Sequence, residues 1–360
     1  MGALLDVDAS RLDPWLRDHR LLPGSGELVV RRLGEGHSNL TFLLARDGDE
    51  LVLRRPPHGP LLPTAHDVVR EARVMELLRS TDDTVRVPAV AGVCTDHSVL
   101  GVPFFLMERA PGVVIRDALP DFLSGTGGRN ARRDVGTALP EVLGAIHSVD
   151  WRPFVEAGIG RPSGYLERQL RRWEGQREGI RAAVAAAGGA ARELPDYDVV
   201  RDWLRAHLPE ESEPAVVHGD YKLDNVIVEP RAGLAGAAGG ARVSAVVDWE
   251  MATVGDPRAD LGYLLSFWAE PHEEVAMAGL SMVHDGFPRR DEVVGLWEQA
   301  TGRRAGDPRW FVALAVWKLA ILLEANYHRW LAGLSDDPFY ARLDTGVPAL
   351  LARSREICGA

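Results

Sequence analysis

The sequence predicts an α+β fold in two lobes: a small N-terminal antiparallel sheet with one main helix, and a larger, mostly helical C-terminal lobe. Three observations lead there. Residues 27–56 alternate short apolar runs with turn residues, as hairpin-linked strands do. From Arg132 onward apolar positions recur at helical spacing. Two short apolar runs, ending near Val217 and Val247, interrupt those helices and are each followed by polar residues. At 360 residues and 39.3 kDa the chain is long enough for two lobes, each with its own core.

Leu28–Val30 opens the sheet and leads into the turn Gly34-Glu35-Gly36-His37-Ser38-Asn39. Leu40–Ala45 is a second strand, and Asp47-Gly48-Asp49 turns it into a third at Leu51–Arg54. A loop rich in Pro and Gly ends at Thr64, placed to cap the next helix with Asp67 as the other half of a capping box. In that helix Val68, Val74, Met75 and Leu78 share one face around Glu71. A glutamate on an apolar face needs a partner or water. Strands follow at Ala89–Cys94 and Phe104–Met107, and 108–112 reads as a linker. The first lobe is therefore 1–108, the hinge 109–112 and the second lobe 113–360. In the second lobe, helices are expected at Arg132–His147, Tyr165–Ala187 and Pro308–Leu331, with an exposed turn of small residues at 232–240.

A net charge of -11 offers no broad cationic face and argues against a nucleic-acid partner. Arg168, Arg171, Arg172, Arg177 and Arg181 read as a solvated helix face, or as a surface for an anionic substrate. Cys94 and Cys358 match no metal spacing and point to a reducing compartment. Met1–Asp13 carries acidic residues where a signal peptide is basic. The run Trp310–Leu323 is interrupted by Lys318 and is short for a bilayer. The expectation is a cytoplasmic protein with no membrane partner.

The chemistry concentrates in His218-Gly219-Asp220-Tyr221-Lys222-Leu223-Asp224-Asn225, with Asp248 after the second run. Phosphoryl transfer from a nucleotide needs one carboxylate for the acceptor hydroxyl's proton, plus an amide oxygen and a second carboxylate for magnesium. Asp220 is the candidate base, and Asn225 and Asp248 are the candidate magnesium ligands. His218 reads as a structural residue beneath the loop, while Lys222 is either a phosphate contact or an exposed lysine. Gly34, Gly36, Ser38 and Asn39 either fold over nucleotide phosphates or form a plain hairpin turn. Strand alternation puts Val52 and Arg54 on one face, so Arg54 reaches the phosphates paired with Glu71, or else is a surface charge. Asp256 suits a helix N-cap before Pro257, which leaves Asp260 to support the catalytic loop. Glu324 and Tyr327 either line an acceptor pocket or mark a helix end emerging into solvent.

Taken in order, these residues resemble the aminoglycoside phosphotransferase family, a branch of the protein-kinase-like fold, from about Val29 to Leu331. The segment Leu53-Arg54-Arg55-Pro56-Pro57 with Leu62–His66 is most similar to the kinase-like domains fused to acyl-CoA dehydrogenases and their stand-alone bacterial relatives. The resemblance implies an ATP site between the lobes, with the adenine against Met107, Glu108 and Ala110. It also implies two Mg2+ ions and an acceptor pocket for a small-molecule hydroxyl. That branch commonly carries Arg where others carry Lys, so Arg54 is compatible with an active enzyme. The rival readings are a hydroxyacyl-CoA kinase and a nucleotide-binding pseudokinase scaffold.

Overall fold

The computed structural model describes residues 7–34, 39–57, 67–116, 118–231, 239–270, 285–335 and 337–359. The N-terminal sheet contains β1 (Val29–Arg32), β2 (Leu40–Arg46), β3 (Asp49–Arg55), β4 (Val90–Cys94) and β5 (Phe104–Glu108), in the spatial order β1-β2-β3-β5-β4. Every pairing is antiparallel. Alternation along β3 decides what each face does. Val52 packs with Val68, Ala72, Met75 and Leu78 of α2 (Val68–Thr81), whereas Leu53 packs on the other face with Leu12 and Leu16. Those two leucines belong to α1 (Ala9–Asp18), a second sheet-covering helix that the sequence reading did not foresee. The short α3 (His97–Leu100) joins β4 to β5. Asp67 caps α2 by accepting the Arg70 N–H at 2.9 Å, while Thr64 lies outside the described residues.

In the second lobe α4 (Arg129–Ser148), α5 (Arg152–Glu156), α6 (Tyr165–Ala186) and α7 (Pro195–Ala206) precede the functional segment. That segment is built on two small sheets, β7 (Ala215–Val217) with β10 (Thr253–Gly255), and β6 (Val113–Val114) with β8 (Val226–Arg231) and β9 (Gly240–Val246). The chain ends in α8 (Arg258–Ser266), α9 (Arg290–Thr301), α10 (Arg309–Leu331) and α11 (Leu343–Cys358). Each lobe has an apolar cluster of its own, as the sequence suggested, one around Leu16 and Leu53 and the other around Trp317, and a third joins them. The third runs from Val52 and Met75 through Leu139 and Val216 to Trp249 and Leu264. The cluster holds both sides of the cleft in one packed body, and each fully buried aliphatic or aromatic side chain contributes about 1.5–3 kcal/mol.

A close approach sets the position of α8. A Cβ at Gly262 would meet the Phe311 backbone at 2.6 Å, so glycine lets α8 lie directly on α10. The helix α10 is 23 residues long, more than the apolar run suggested, and apolar enough to cross a membrane by composition. Its apolar positions are instead spent on α8, α11, α6 and α7, as a core helix does.

Candidate functional site

From β7 the chain enters His218-Gly219-Asp220. Gly219 has φ 84°, and a Cβ there would stand 2.8 Å from the Met251 carbonyl oxygen, so the turn requires glycine. His218 is fully buried. Its Nε2–H donates to the Val247 carbonyl at 3.0 Å, and its Nδ1 accepts the Asp220 N–H at 3.3 Å. The ring lies 4.6 Å from that of Trp249. His218 therefore ties the Asp220 loop to the segment that carries Asp248. On α8, Asp260 accepts the N–H groups of His218 (2.6 Å) and Gly219 (2.8 Å), and His147 Nε2 lies 3.3 Å away. Burial opposes the Asp260 charge, but these bonds outweigh it and hold the carboxyl below its ordinary range.

Asn225 turns back onto the loop. Its Nδ2 donates to both the carbonyl and the carboxylate of Asp220, each at 2.8 Å, which leaves Oδ1 for a cation. Lys222 Nζ stands 3.6 Å from Asp220 and 3.2 Å from Asp224. Tyr221 anchors the loop to α4 by donating to the Leu139 carbonyl at 2.9 Å. Asp248 follows β9 in the left-handed conformation (φ 69°), which costs most side chains about 1–2 kcal/mol and which Asp tolerates better.

The N-terminal lobe closes on this floor. Arg54 Nε donates to Glu71 at 2.8 Å and its Nη2 to Asp248, so one guanidinium joins β3, α2 and the C-terminal lobe. Asn39 Nδ2 donates to Glu250 at 2.9 Å and reaches Glu71 at 3.4 Å, and the Trp249 N–H donates to Glu71 at 3.3 Å. Arg70 donates to the carbonyls of Glu250 and Ala252, a second strap across the lobes. Gly34 has φ 71°, while Gly36 and Ser38 lie outside the described residues. Met107 is buried opposite Val52 on β5, Glu108 ends that strand, and Ala110 is half-buried just beyond it.

Three carboxylates, Glu71, Asp248 and Glu250, thus surround one guanidinium. Burial is the main force pushing Glu71 up, to about 7, and Asp248 up as well, against the pull of Arg54. Burial also opposes the charge of Arg54, but the three carboxylates outweigh it and keep the guanidinium charged. A surplus of negative charge in a cleft is suited to a bound cation. Asn225 Oδ1 and the Asp248 carboxylate fit Mg2+, a hard ion that takes a few oxygen ligands and fills its shell with water and phosphate.

The model of the phosphotransferase enzyme family matches residues 29–293, which include every residue of this arrangement. The chain belongs to the phosphotransferase enzyme family. Similar family-related sequences include acyl-CoA dehydrogenase family member 11 of Gallus gallus, 35% identical over 327 residues, and family member 10 of Mus musculus, 33% identical over 333. These matches cover 87% and 91% of this chain but 39% and 29% of the relatives, so the chain spans well under half of either. Among solved structures, a putative aminoglycoside phosphotransferase from Ralstonia eutropha is 28% identical with TM-score 0.75, covering 98% of both chains. Choline kinase from Cryptosporidium parvum shares the fold at 11% identity and TM-score 0.61, covering 97% of this chain and 96% of its own. The bilobal kinase-like fold is therefore shown.

This family member departs from the sequence reading at the far end of α10. Glu324 faces other side chains, not an open pocket, among the described residues. It is fully buried and bonded by Arg192 (2.6 Å), Arg177 (3.4 Å) and His328 (3.1 Å). Tyr327 donates to Asp344 at 3.0 Å and lies under the Arg192 guanidinium, 4.3 Å away. Both tie α10 to α11 and to the segment carrying Arg192, Glu324 from full burial and Tyr327 from a half-buried position near the helix end, where Arg329 and Leu331 reach solvent. Arg177 is likewise buried, not part of a solvated face. Asp256 does not cap α8 as the formal first residue. It accepts the Arg258 N–H at 3.0 Å while pairing with the Arg258 side chain at 2.6 Å. Sequence reasoning missed Arg70, Glu250, Tyr263 and Lys318. Glu250 alone had a local signal, two residues after Asp248.

Proposed function

We propose that the chain is an ATP-dependent phosphotransferase that moves the γ-phosphate to a hydroxyl of a small molecule. The observation that carries this is the double grip of Asn225 on Asp220. One side chain fixes the candidate base and keeps its own oxygen for a metal, while the Asn225 carbonyl accepts the Val247 N–H at 2.9 Å and so ties the loop to the segment that carries Asp248. Nucleotide use is supported by a fold neighbour, an aminoglycoside phosphotransferase seen in ternary complex with AMP-PNP and hygromycin B (17% identity, TM-score 0.56).

In this reading Asp220 accepts the acceptor hydroxyl's proton as the bond to phosphorus forms. Asn225 and Asp248 hold magnesium, which when bound neutralises and aligns the phosphate oxygens. Arg54 turns from Asp248 toward the phosphates while Glu71 keeps its other end, which also argues against a scaffold role because the pair is intact. Lys222 stands where it can neutralise charge on the transferring group. Hydroxyacyl thioesters are the favoured alternative acceptors, because the relatives above are named as acyl-CoA dehydrogenase family members and Arg171 and Arg172 lie exposed on α6, with Arg168 half-buried beside them. A cytoplasmic setting is part of the proposal, and both cysteines are free and buried.

The test is ATP consumption with Mg2+ against aminoglycosides, macrolides, choline, sugars and hydroxyacyl-CoAs, each repeated with Asp220→Ala. Turnover on one acceptor, lowered roughly 10²–10⁴-fold by the substitution, is expected for a general base. Nucleotide binding without turnover on any acceptor would favour the scaffold.

A further inference from the structure

Of the 41 Lys and Arg residues in this chain only two are lysine, Lys222 and Lys318, and the other 39 are arginine. Elsewhere the described ion pairs, exposed or buried, use Arg or His. The two lysines are 96 positions apart in sequence, yet both reach one loop, Lys222 at 3.6 Å from the Asp220 carboxylate and Lys318 at the carbonyl just before it. Lys222 belongs to the loop itself. Lys318 arrives from the middle of α10 and is buried.

Lys318 Nζ donates to the Gly219 carbonyl at 2.5 Å. Because Asp260 takes the Gly219 N–H, the residue before Asp220 is held at both ends, from α8 and from α10. The ammonium lies 4.6 Å from the Tyr263 ring centroid and 5.4 Å from that of Trp173, contacts that favour a cation. Tyr263 in turn faces Asp220, and burial together with that carboxylate pushes its phenol well above the ordinary range. The space around these groups, lined by Tyr165, Gln169, Trp173, Tyr263, Phe311 and Lys318 among others, has about 20 Å³ free. A compact ammonium suits this narrow place better than a planar guanidinium with five donors.

We propose that Lys318 is a positioning residue for the transfer reaction, clamping the Gly219 carbonyl and setting an ammonium behind the Asp220 carboxylate where arginine serves less well. This rests on the reading of Asp220 as the base. The charged and titratable groups that face Lys318 are Asp220 and Lys222 on the loop, Asp260 and Tyr263 on α8, and Tyr165 and Arg172 on α6. Burial is the dominant influence and lowers Lys318 to about 8, with Asp220 and Asp260 resisting and Arg172 and Lys222 adding to it. The ammonium is therefore present below about pH 8 and lost as pH rises through that value.

Because the chain has two lysines, protein labelled with ¹³Cε-lysine gives two side-chain signals, and Lys318→Met identifies one of them. The expected result is that this signal titrates near pH 8 and shifts in Asp220→Asn. Titration near the ordinary lysine value of about 10.4, or indifference to Asp220→Asn, would overturn the placement. In steady-state ATP turnover, Lys318→Met should lower kcat roughly 10²-fold, leave KM for ATP within about twofold and remove the alkaline fall near pH 8. Lys318→Arg should not restore kcat. Wild-type kcat and an unchanged alkaline limb in Lys318→Met would contradict the proposal. If Lys318→Met does not fold, Lys318→Arg and the wild-type titration decide it. A wild-type protein that consumes no ATP would defeat the phosphotransferase reading, and the titration would still judge Lys318.

Discussion

Glu71 and Glu324 are alike by every local measure: each is a glutamate on the apolar face of a long helix, fully buried and held by arginine. The sequence offered both as site residues, Glu324 with a helix end as the alternative, and the structure brings only Glu71 together with Arg54 and the Asp248 segment. Around Glu71 three carboxylates share Arg54, and Asp248 keeps about a quarter of its side chain exposed to the cleft. Around Glu324, with Asp344 at the rim, stand Arg177, Arg192 and His328, so the charges balance and the knot is closed. Burial with charge balance makes a fastener. Burial with a negative surplus open to the cleft makes a place for a cation.

This difference gives the two clusters opposite responses. Asp248→Asn should cut turnover by at least about 10²-fold, the loss expected when a group acting on the transition state is removed. It should also raise the melting temperature of the ligand-free protein, since it removes one of the crowded charges and Asn tolerates a left-handed backbone. Glu324→Gln should do the reverse, lowering stability by about 3–5 kcal/mol because two arginines lose their buried counter-charge, with kcat unchanged. Chemical denaturation alongside steady-state kinetics checks both. A Glu324→Gln protein with full stability, or with lost turnover, would erase the distinction.

The pH response sharpens it further. Glu71 is raised from 4.5 to about 7, so between those values the folded state holds a proton that the unfolded state has released. Its contribution therefore falls as pH rises through that window. Relative to wild type, Glu71→Gln should gain stability from pH 4.5 to about 7. Denaturation midpoints at several pH values read this. The smallest effect belongs to Tyr327→Phe, which removes one hydrogen bond to Asp344 and should cost about 1 kcal/mol with no change in turnover.

What could be read from sequence was what is encoded locally. The sheet strands, the Asp220–Asn225 spacing and the Arg54 face follow from period-two alternation and loop length, and each lies within a few residues of its signal. The missing parts come from distant helices. Arg70, Tyr263 and Lys318 reach the site only because α2, α8 and α10 pack as they do, Gly262 allowing the last two to touch. Glu324 was misassigned because helical periodicity shows that a glutamate faces inward but not what it faces. The helix α1 went unnoticed because it is short and holds Pro14, and only Leu12 and Leu16 carry its burial.

The central claim is a cation site shared by Asn225 and Asp248 beneath a nucleotide. It is tested most directly by titrating AMP-PNP calorimetrically into wild type and Asp248→Asn, with and without magnesium. Magnesium is expected to tighten binding to wild type at least tenfold, about 1.4 kcal/mol, and to leave the variant's affinity unchanged. Equal affinity with and without magnesium in wild type, or an undiminished magnesium effect in the variant, would contradict it.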